Sequence, residues 1–202
     1  MKKQRVNSQV LAMTELAILA AVIVVMAFTP LGYLKTAGLE ITFITIPVIV
    51  GAIVLGPKAG AFLGGVFGVT SFLQVVFGLS PFGVMLMGIS PIRCFMVCVP
   101  TRILMGLCTG LVWNLWKNKS IAAYSVTSLT GALLNTLFFM STLIALFWNT
   151  DVIQGIADSL GTTGVLAFVV AFVGVNGLVE AICCFALAGT VAKAVNTYVA
   201  KV

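Results

Sequence analysis

The chain has 202 residues, of which 61% are hydrophobic and 8% are charged. So little polar surface excludes a soluble globule, and the composition predicts an all-α membrane protein with a single domain over residues 1–202. The formal net charge of +6 is typical of a chain oriented in the membrane against anionic lipid headgroups, and it argues against nucleic-acid binding.

Charged positions and Gly/Pro clusters divide the sequence into six predicted transmembrane helices. These cover residues 9–29, 41–56, 59–79, 94–116, 121–148 and 163–195. About 20 helical residues cross a hydrocarbon core of about 30 Å, so the chain has room for roughly six spans. The second segment is short and interrupted by Thr42, Thr45 and Pro47, which predicts that it lies partly inside the bundle.

The basic residues predict that both termini lie in the cytoplasm (N-in, C-in). In a six-span arrangement one side carries Lys2, Lys3, Arg5, Lys58, Lys117, Lys119, Lys193 and Lys201. The other side carries Lys35, Glu40, Asp151 and Asp158, with Arg93 at its edge. The connections on this outer side, residues 30–40, 80–93 and 149–162, could form a lid over an outward-facing pocket.

The residue types argue against most kinds of catalytic and metal site. There is no histidine, which removes Ser-His-Asp hydrolysis, His-ligated haem and most zinc sites. Five cysteines lie in predicted spans without Cys-x-x-Cys spacing, and we interpret them as apolar packing residues, not as metal ligands. No G-x-x-x-x-G-K-[ST] loop is present, so the chain is not expected to be an enzyme, and active transport would need ATP and Mg²⁺ used by another subunit.

Membrane-embedded polar residues are the candidate binding groups, because an isolated arginine at the bilayer centre costs at least about 2.5 kcal/mol. Counted from the outer helix ends at about 1.5 Å per residue, Arg102 lies about 12 Å deep and Gln74 about 8 Å. Asn135 and Asn176 lie about 20 Å deep. Asn176 and Glu180, four residues apart, share one helical face. We predict that these five side chains line one cavity in the outer half of the bilayer.

Two other interpretations remain open. Arg102 and Glu180 could form a purely internal ion pair, with the amides bridging helices. Arg93 precedes Arg102 by nine residues, half a turn out of phase in a regular helix, unless Pro91 or Pro100 changes that phase. Arg93 is therefore either an anchor at the outer interface or a second contact to an anion.

Small residues predict two places where helices approach closely. Gly60, Gly64, Gly65 and Gly68 in the third predicted helix favour internal packing. Ala17 and Ala21 form a face of the first helix that could serve a partner subunit.

Four segments resemble the S components, or substrate-binding membrane subunits, of energy-coupling factor (ECF) vitamin transporters. The run 46–60, IPVIVGAIVLGPKAG, resembles their second-to-third helix segment. Residues 100–106, PTRILMG, look like their fourth-helix Pro-Arg segment, with Thr101 between the proline and the arginine. Residues 129–136 look like their fifth-helix Gly/Asn segment and residues 175–180, VNGLVE, like their sixth.

The resemblance implies a six-helix subunit of the bacterial cytoplasmic membrane that captures a vitamin outside the cell. It also implies a transmembrane coupling subunit and two cytoplasmic ATPase subunits as partners, on which the S component topples to release its load. In that family an Ala-x-x-x-Ala face on the first helix contacts the coupling subunit, and Ala17 and Ala21 match this spacing.

The sequence looks most like the pantothenate-type S components. In that case Arg102 or Arg93 pairs with the vitamin carboxylate, and Asn135, Asn176 and Glu180 hold its hydroxyls and amide. The alternatives are an S component for riboflavin, folate or pyridoxine, or a bundle that acts as a channel or scaffold.

Overall fold

A computed structural model of the chain describes residues 8–30, 32–35, 40–116 and 120–199. Much of the charge that predicts the orientation lies outside these residues, in segments 1–7 and 117–119 and at Lys201. So does part of the predicted lid segment 30–40.

The described residues form nine α-helices, one short β-hairpin and one π-helical turn. In chain order these are α1 Ser8–Ala27, β1 Tyr33–Lys35, β2 Glu40–Thr42, α2 Thr45–Val54, α3 Pro57–Val76, α4 Pro81–Ile89, α5 Pro91–Leu115, α6 Ile121–Phe147, α7 Asp151–Ser159, α8 Val165–Cys183, the π turn Cys184–Ala188 and α9 Gly189–Val199.

Five helical segments are long and apolar enough to cross a membrane. They are Gln9–Ala27, Pro57–Val76, Pro91–Leu115, Ile121–Phe147 and Gly177–Val195. These segments confirm an integral membrane protein built of helices. The predicted second span differs, because α2 has 10 residues and so extends only about 15 Å. Eight of these residues are buried, which confirms that this segment lies inside the bundle.

The prediction of a helix from residue 41 was wrong for its first residues. Glu40–Thr42 forms β2, which pairs antiparallel with β1 so that Tyr33 lies opposite Thr42. Helix α2 begins at Thr45 and has Pro47 in its first turn. A proline is tolerated there, because N–H groups in the first turn have no acceptor within the helix. The chain therefore changes from strand to helix between Thr42 and Thr45.

Two predicted connections contain helices. Within 80–93, Ser80 precedes α4 and Ser90 precedes α5, and each helix has proline in its first position. A fixed φ near −65° favours such a start. Within 149–162, α7 begins at Asp151, whose carboxylate complements the positive end of a helix dipole. These segments were predicted to be connections, and no helix was predicted in them.

The last predicted helix is interrupted twice. Gly174 has φ 39° and ψ −132°, a backbone conformation that a residue with a Cβ atom rarely adopts. The π turn follows Cys183, and π turns are frequent at functional sites. The prediction of one regular helix over 163–195 was therefore wrong, and the segment that carries Glu180 lies between the two irregularities.

Helices α3 and α5 touch backbone to backbone. A Cβ atom at Gly64 would clash with the carbonyl group of Arg102, and one at Gly60 would clash with that of Gly106. A Cβ atom at Gly68 would lie 2.7 Å from the Cα of Val99. This contact confirms the predicted packing role for Gly60, Gly64 and Gly68, whereas Gly65 makes no such close approach. It also fixes the position of Arg102 along the bundle.

Candidate functional site

Asn135 of α6 and Glu180 of α8 meet in the interior of the bundle. The Nδ2 group of Asn135 donates a hydrogen bond to Oε1 of Glu180 at 3.1 Å. Asn135 is 5% exposed and Glu180 is 8% exposed. The bond brings together two residues that are 45 positions apart in sequence.

Arg102 of α5 joins them as the second buried charge among the described residues, with 9% of its surface exposed. Its guanidinium carbon lies 5.0 Å from the ring centroids of both Phe67 and Phe139. These are cation–π distances, and the attraction is strongest where water is excluded. Its Nη1 group also lies 3.4 Å from Oγ1 of Thr101, as a donor. Both rings therefore lie within cation–π distance of the guanidinium.

The charge of Arg102 acts on the carboxyl group of Glu180. Two opposite charges in a low-dielectric interior offset part of the cost of burying each of them. The described residues thus place a cation, a carboxyl group and an amide in one region. Such a set can bind a molecule with an anionic group and hydrogen-bonding groups.

Thr45 at the start of α2 lies beside the same carboxyl group, as does the backbone of Thr42. Its Oγ1 donates to the carbonyl group of Thr42 at 3.0 Å and lies 3.5 Å from Sγ of Cys184 in the π turn. We call Arg102, Asn135, Glu180 and Thr45 the polar layer. Helices α2, α5, α6 and α8 each supply one member.

Apolar clusters lie on both sides of the polar layer. Along α5, Val97 and Cys98 belong to one cluster and Met105 to another, with Arg102 between them. Along α6, Ala132 and Met140 flank Asn135 in the same way. These clusters exclude water, which strengthens electrostatic interactions inside the layer.

Gln74 lies closer to the end of α3. Its Nε2 group donates to the carbonyl oxygen of Ala27, where α1 ends and carbonyl groups lack helical partners. It is seven residues from Phe67, or about 10 Å along α3. The side chain therefore links α1 to α3, and a contact with substrate stays a prediction.

The structure does not bring Arg93 to the polar layer. Arg93 is exposed, and its Nη1 group donates to the carbonyl group of Leu146 at 3.2 Å. A cation is favourable near this C-terminal end of α6. Helix α5 is continuous through Pro100, so the nine positions between Arg93 and Arg102 correspond to about two and a half helical turns. Asn176 lies in α8, but its side chain is outside the described part of the structure.

Sequence reasoning missed Phe67, Phe139 and Thr45 as site residues. Thr45 carried a signal, because it is a hydroxyl residue in an apolar segment, but it was interpreted only as an interruption. The two phenylalanines carried none, since the sequence has 14 phenylalanines and apolar residues usually pack in cores or face lipid.

Ala17 and Ala21 lie on an exposed face of α1. With Val10, Met13, Thr14 and Ile18 they line an open groove of about 560 Å³. In the spanning part of α1 only 11% of residues are buried, against 28% to 44% in the other four long segments. Among the five long segments that the structure describes, α1 is therefore the least buried.

Comparison with curated proteins gave no match. The structure is similar to that of ThiT from Listeria monocytogenes, with a TM-score of 0.65, and the alignment covers 93% of this chain and 96% of that one. The two sequences are 21% identical, so this likeness concerns the fold. The family described as "ECF transporter, substrate-specific component" matches residues 11–192. The chain therefore belongs to the family of substrate-specific components of ECF transporters.

Proposed function

We propose that the protein is the substrate-binding subunit of an ECF-type importer for a small anionic vitamin, pantothenate. Members of the family bind small vitamin-like substrates and couple to an energy-coupling module. Pantothenate combines a carboxylate with two hydroxyl groups and an amide. The polar layer offers a cation for the first and hydrogen-bonding groups for the others.

The observation that carries the proposal is the buried guanidinium of Arg102, which lies 5.0 Å from the ring centroids of Phe67 and Phe139. A guanidinium is planar, and a carboxylate binds its edge with two parallel hydrogen bonds. Asn135 and Glu180 form hydrogen bonds with the hydroxyl and amide groups of the vitamin. Asn176, Gln74 and Arg93 stay candidate contacts, Arg93 at the outer entrance.

The same proposal includes topology and partners. Six segments cross or enter the membrane with both termini in the cytoplasm, α2 being the short one inside the bundle. A coupling subunit docks on the Ala17/Ala21 groove, and two ATPase subunits hydrolyse ATP with Mg²⁺, so that this chain itself is no enzyme. The vitamin is captured outside the bacterial cytoplasmic membrane and released inside when the subunit topples.

Binding measurements on the purified protein test the vitamin. Calorimetric titration with pantothenate, riboflavin, folate and pyridoxine is expected to give tight binding for pantothenate alone. Arg102→Ala is expected to weaken that binding at least about 100-fold, since a charge-assisted pair in a dry site is lost. Tight binding of riboflavin or folate with no pantothenate binding would sink the vitamin assignment and leave the family unchanged.

The proximity of Arg102 and Glu180 also suits a channel or scaffold in which the two charges only neutralise each other. Removing one member of a buried pair destabilises a soluble protein by about 3–5 kcal/mol. A scaffold therefore predicts that Arg102→Ala lowers the melting temperature strongly, with no vitamin binding in either form. A transporter predicts loss of vitamin binding in a variant that still folds and assembles.

A further inference from the structure

We propose that Oδ1 of Asn135 is a specificity-determining acceptor that receives a hydrogen bond from an O–H or N–H group of the transported molecule. The proposal rests on the proposed function, because it concerns the same polar layer. It narrows the substrate class to anions that carry a hydrogen-bond donor away from the anionic group. Molecules of similar shape without that donor are rejected.

The orientation of the Asn135 amide is set by Glu180. The hydrogen bond of 3.1 Å joins the Nδ2 group to a carboxylate oxygen, which is the pairing in which the amide donates. The amide is planar, so its oxygen lies on the other branch and faces away from that bond. Asn135 therefore presents an acceptor in the polar layer, on the side of its amide that is turned away from Glu180.

This acceptor has no hydrogen-bond partner among the residues that the structure describes, and it is fully buried. A buried carbonyl group without a donor is costly, and most such groups in native proteins are paired. An amide oxygen can only accept a hydrogen bond, so it needs a donor from another group. A donor from outside the described chain supplies the missing bond.

Thr127 provides the contrast on the same helix. Its hydroxyl is also buried and lacks a partner among the described residues. A threonine hydroxyl in a helix can rotate toward the carbonyl group four residues earlier, as Thr130 and Ser128 do here. Thr127 lies eight residues from Asn135, about 12 Å along α6. Of these two groups on α6, the one that needs an external donor is therefore the Asn135 oxygen in the polar layer.

A site that hydrogen-bonds its substrate discriminates strongly against an analogue without the donor, because its own buried group is left unpaired. The experiment compares pantothenate with three analogues, two that each lack one hydroxyl and one with a methylated amide nitrogen. Dissociation constants are measured for wild type, Asn135→Leu and the matched control Thr127→Val.

The wild type is expected to bind one of the three analogues at least about tenfold more weakly than pantothenate. Asn135→Leu is expected to bind that analogue and pantothenate with equal affinity, while Thr127→Val keeps the wild-type ratio. Unchanged discrimination in Asn135→Leu overturns the proposal. If the leucine variant does not fold, the wild type still decides, since no loss with any analogue also overturns it.

A second readout separates this proposal from the choice of vitamin. Melting temperatures of the same three proteins are measured with each water-soluble vitamin. If another vitamin than pantothenate stabilises the wild type, the vitamin assignment fails and the Asn135 proposal is judged with that molecule. The increase in melting temperature that this vitamin causes must then be smaller in Asn135→Leu and unchanged in Thr127→Val. An equal shift in wild type and Asn135→Leu, or no stabilising vitamin at all, contradicts the proposal.

Discussion

The polar residues of the site could be predicted from the sequence, whereas the aromatic residues around Arg102 could not. Arg102, Asn135 and Glu180 stand out because polar residues in apolar helices are rare and face the interior, and the structure brings them into one layer. Phe67 and Phe139 complete the surroundings of the guanidinium. Their role could not be predicted, because an aromatic side chain in a membrane helix gives no sign of its partner.

Phe139→Leu is expected to weaken pantothenate binding about 3- to 30-fold, since one cation–π contact is lost and the guanidinium is less confined. Titration calorimetry measures the change. Phe138→Leu serves as the control, because Phe138 is the preceding residue on α6 and packs against an apolar cluster. Equal losses in both variants would show that Phe139 contributes only general packing.

The helices themselves could be predicted where the apolar run was long. The four predicted helices 9–29, 59–79, 94–116 and 121–148 correspond to α1, α3, α5 and α6. Short elements escaped, because α4 and α7 have nine residues each and give too little periodicity to distinguish a helix from a loop. The break at Gly174 was also hidden, since many glycines in membrane helices serve only packing.

The glycine contact between α3 and α5 sets the position of Arg102. Gly64→Ala is expected to lower protein stability by about 1–3 kcal/mol, because the new methyl group clashes with the Arg102 carbonyl and pushes the helices apart. Thermal unfolding in detergent measures the effect, and weaker pantothenate binding should accompany it.

Gly65→Ala is the matched control for this prediction. A Cβ atom at Gly65 would lie 3.6 Å from a side-chain carbon of Ile103, an ordinary van der Waals distance. Its melting temperature should stay close to that of the wild type. If Gly64→Ala melted like Gly65→Ala, the close approach of the two helices would not determine stability.

The whole molecule has one well-packed side and one open side. Helix α3 packs against α5 through glycine, whereas α1 leaves most of its surface exposed. In a transport complex the open side is the natural place for a partner, because the small side chains of Ala17 and Ala21 let another helix approach closely. The sequence predicted this face by spacing, and its partner remains a proposal.

Ala21→Leu is expected to reduce recovery of the coupling and ATPase subunits when the tagged chain is purified, because the larger side chain fills the groove. Pantothenate binding by the isolated subunit should not change. Ala12→Leu is the control, since Ala12 is also exposed and lies half a turn out of phase with Ala21. Normal recovery of the complex with Ala21→Leu would contradict docking at this groove.

Native mass spectrometry of wild type and Arg102→Ala, purified side by side, tests most directly whether Arg102 anchors an anionic vitamin. We predict that the wild type retains pantothenate, and that Arg102→Ala loses it while it still folds and assembles with the coupling subunit. Retention of the same small molecule by both proteins, or of none by the wild type, would contradict the account.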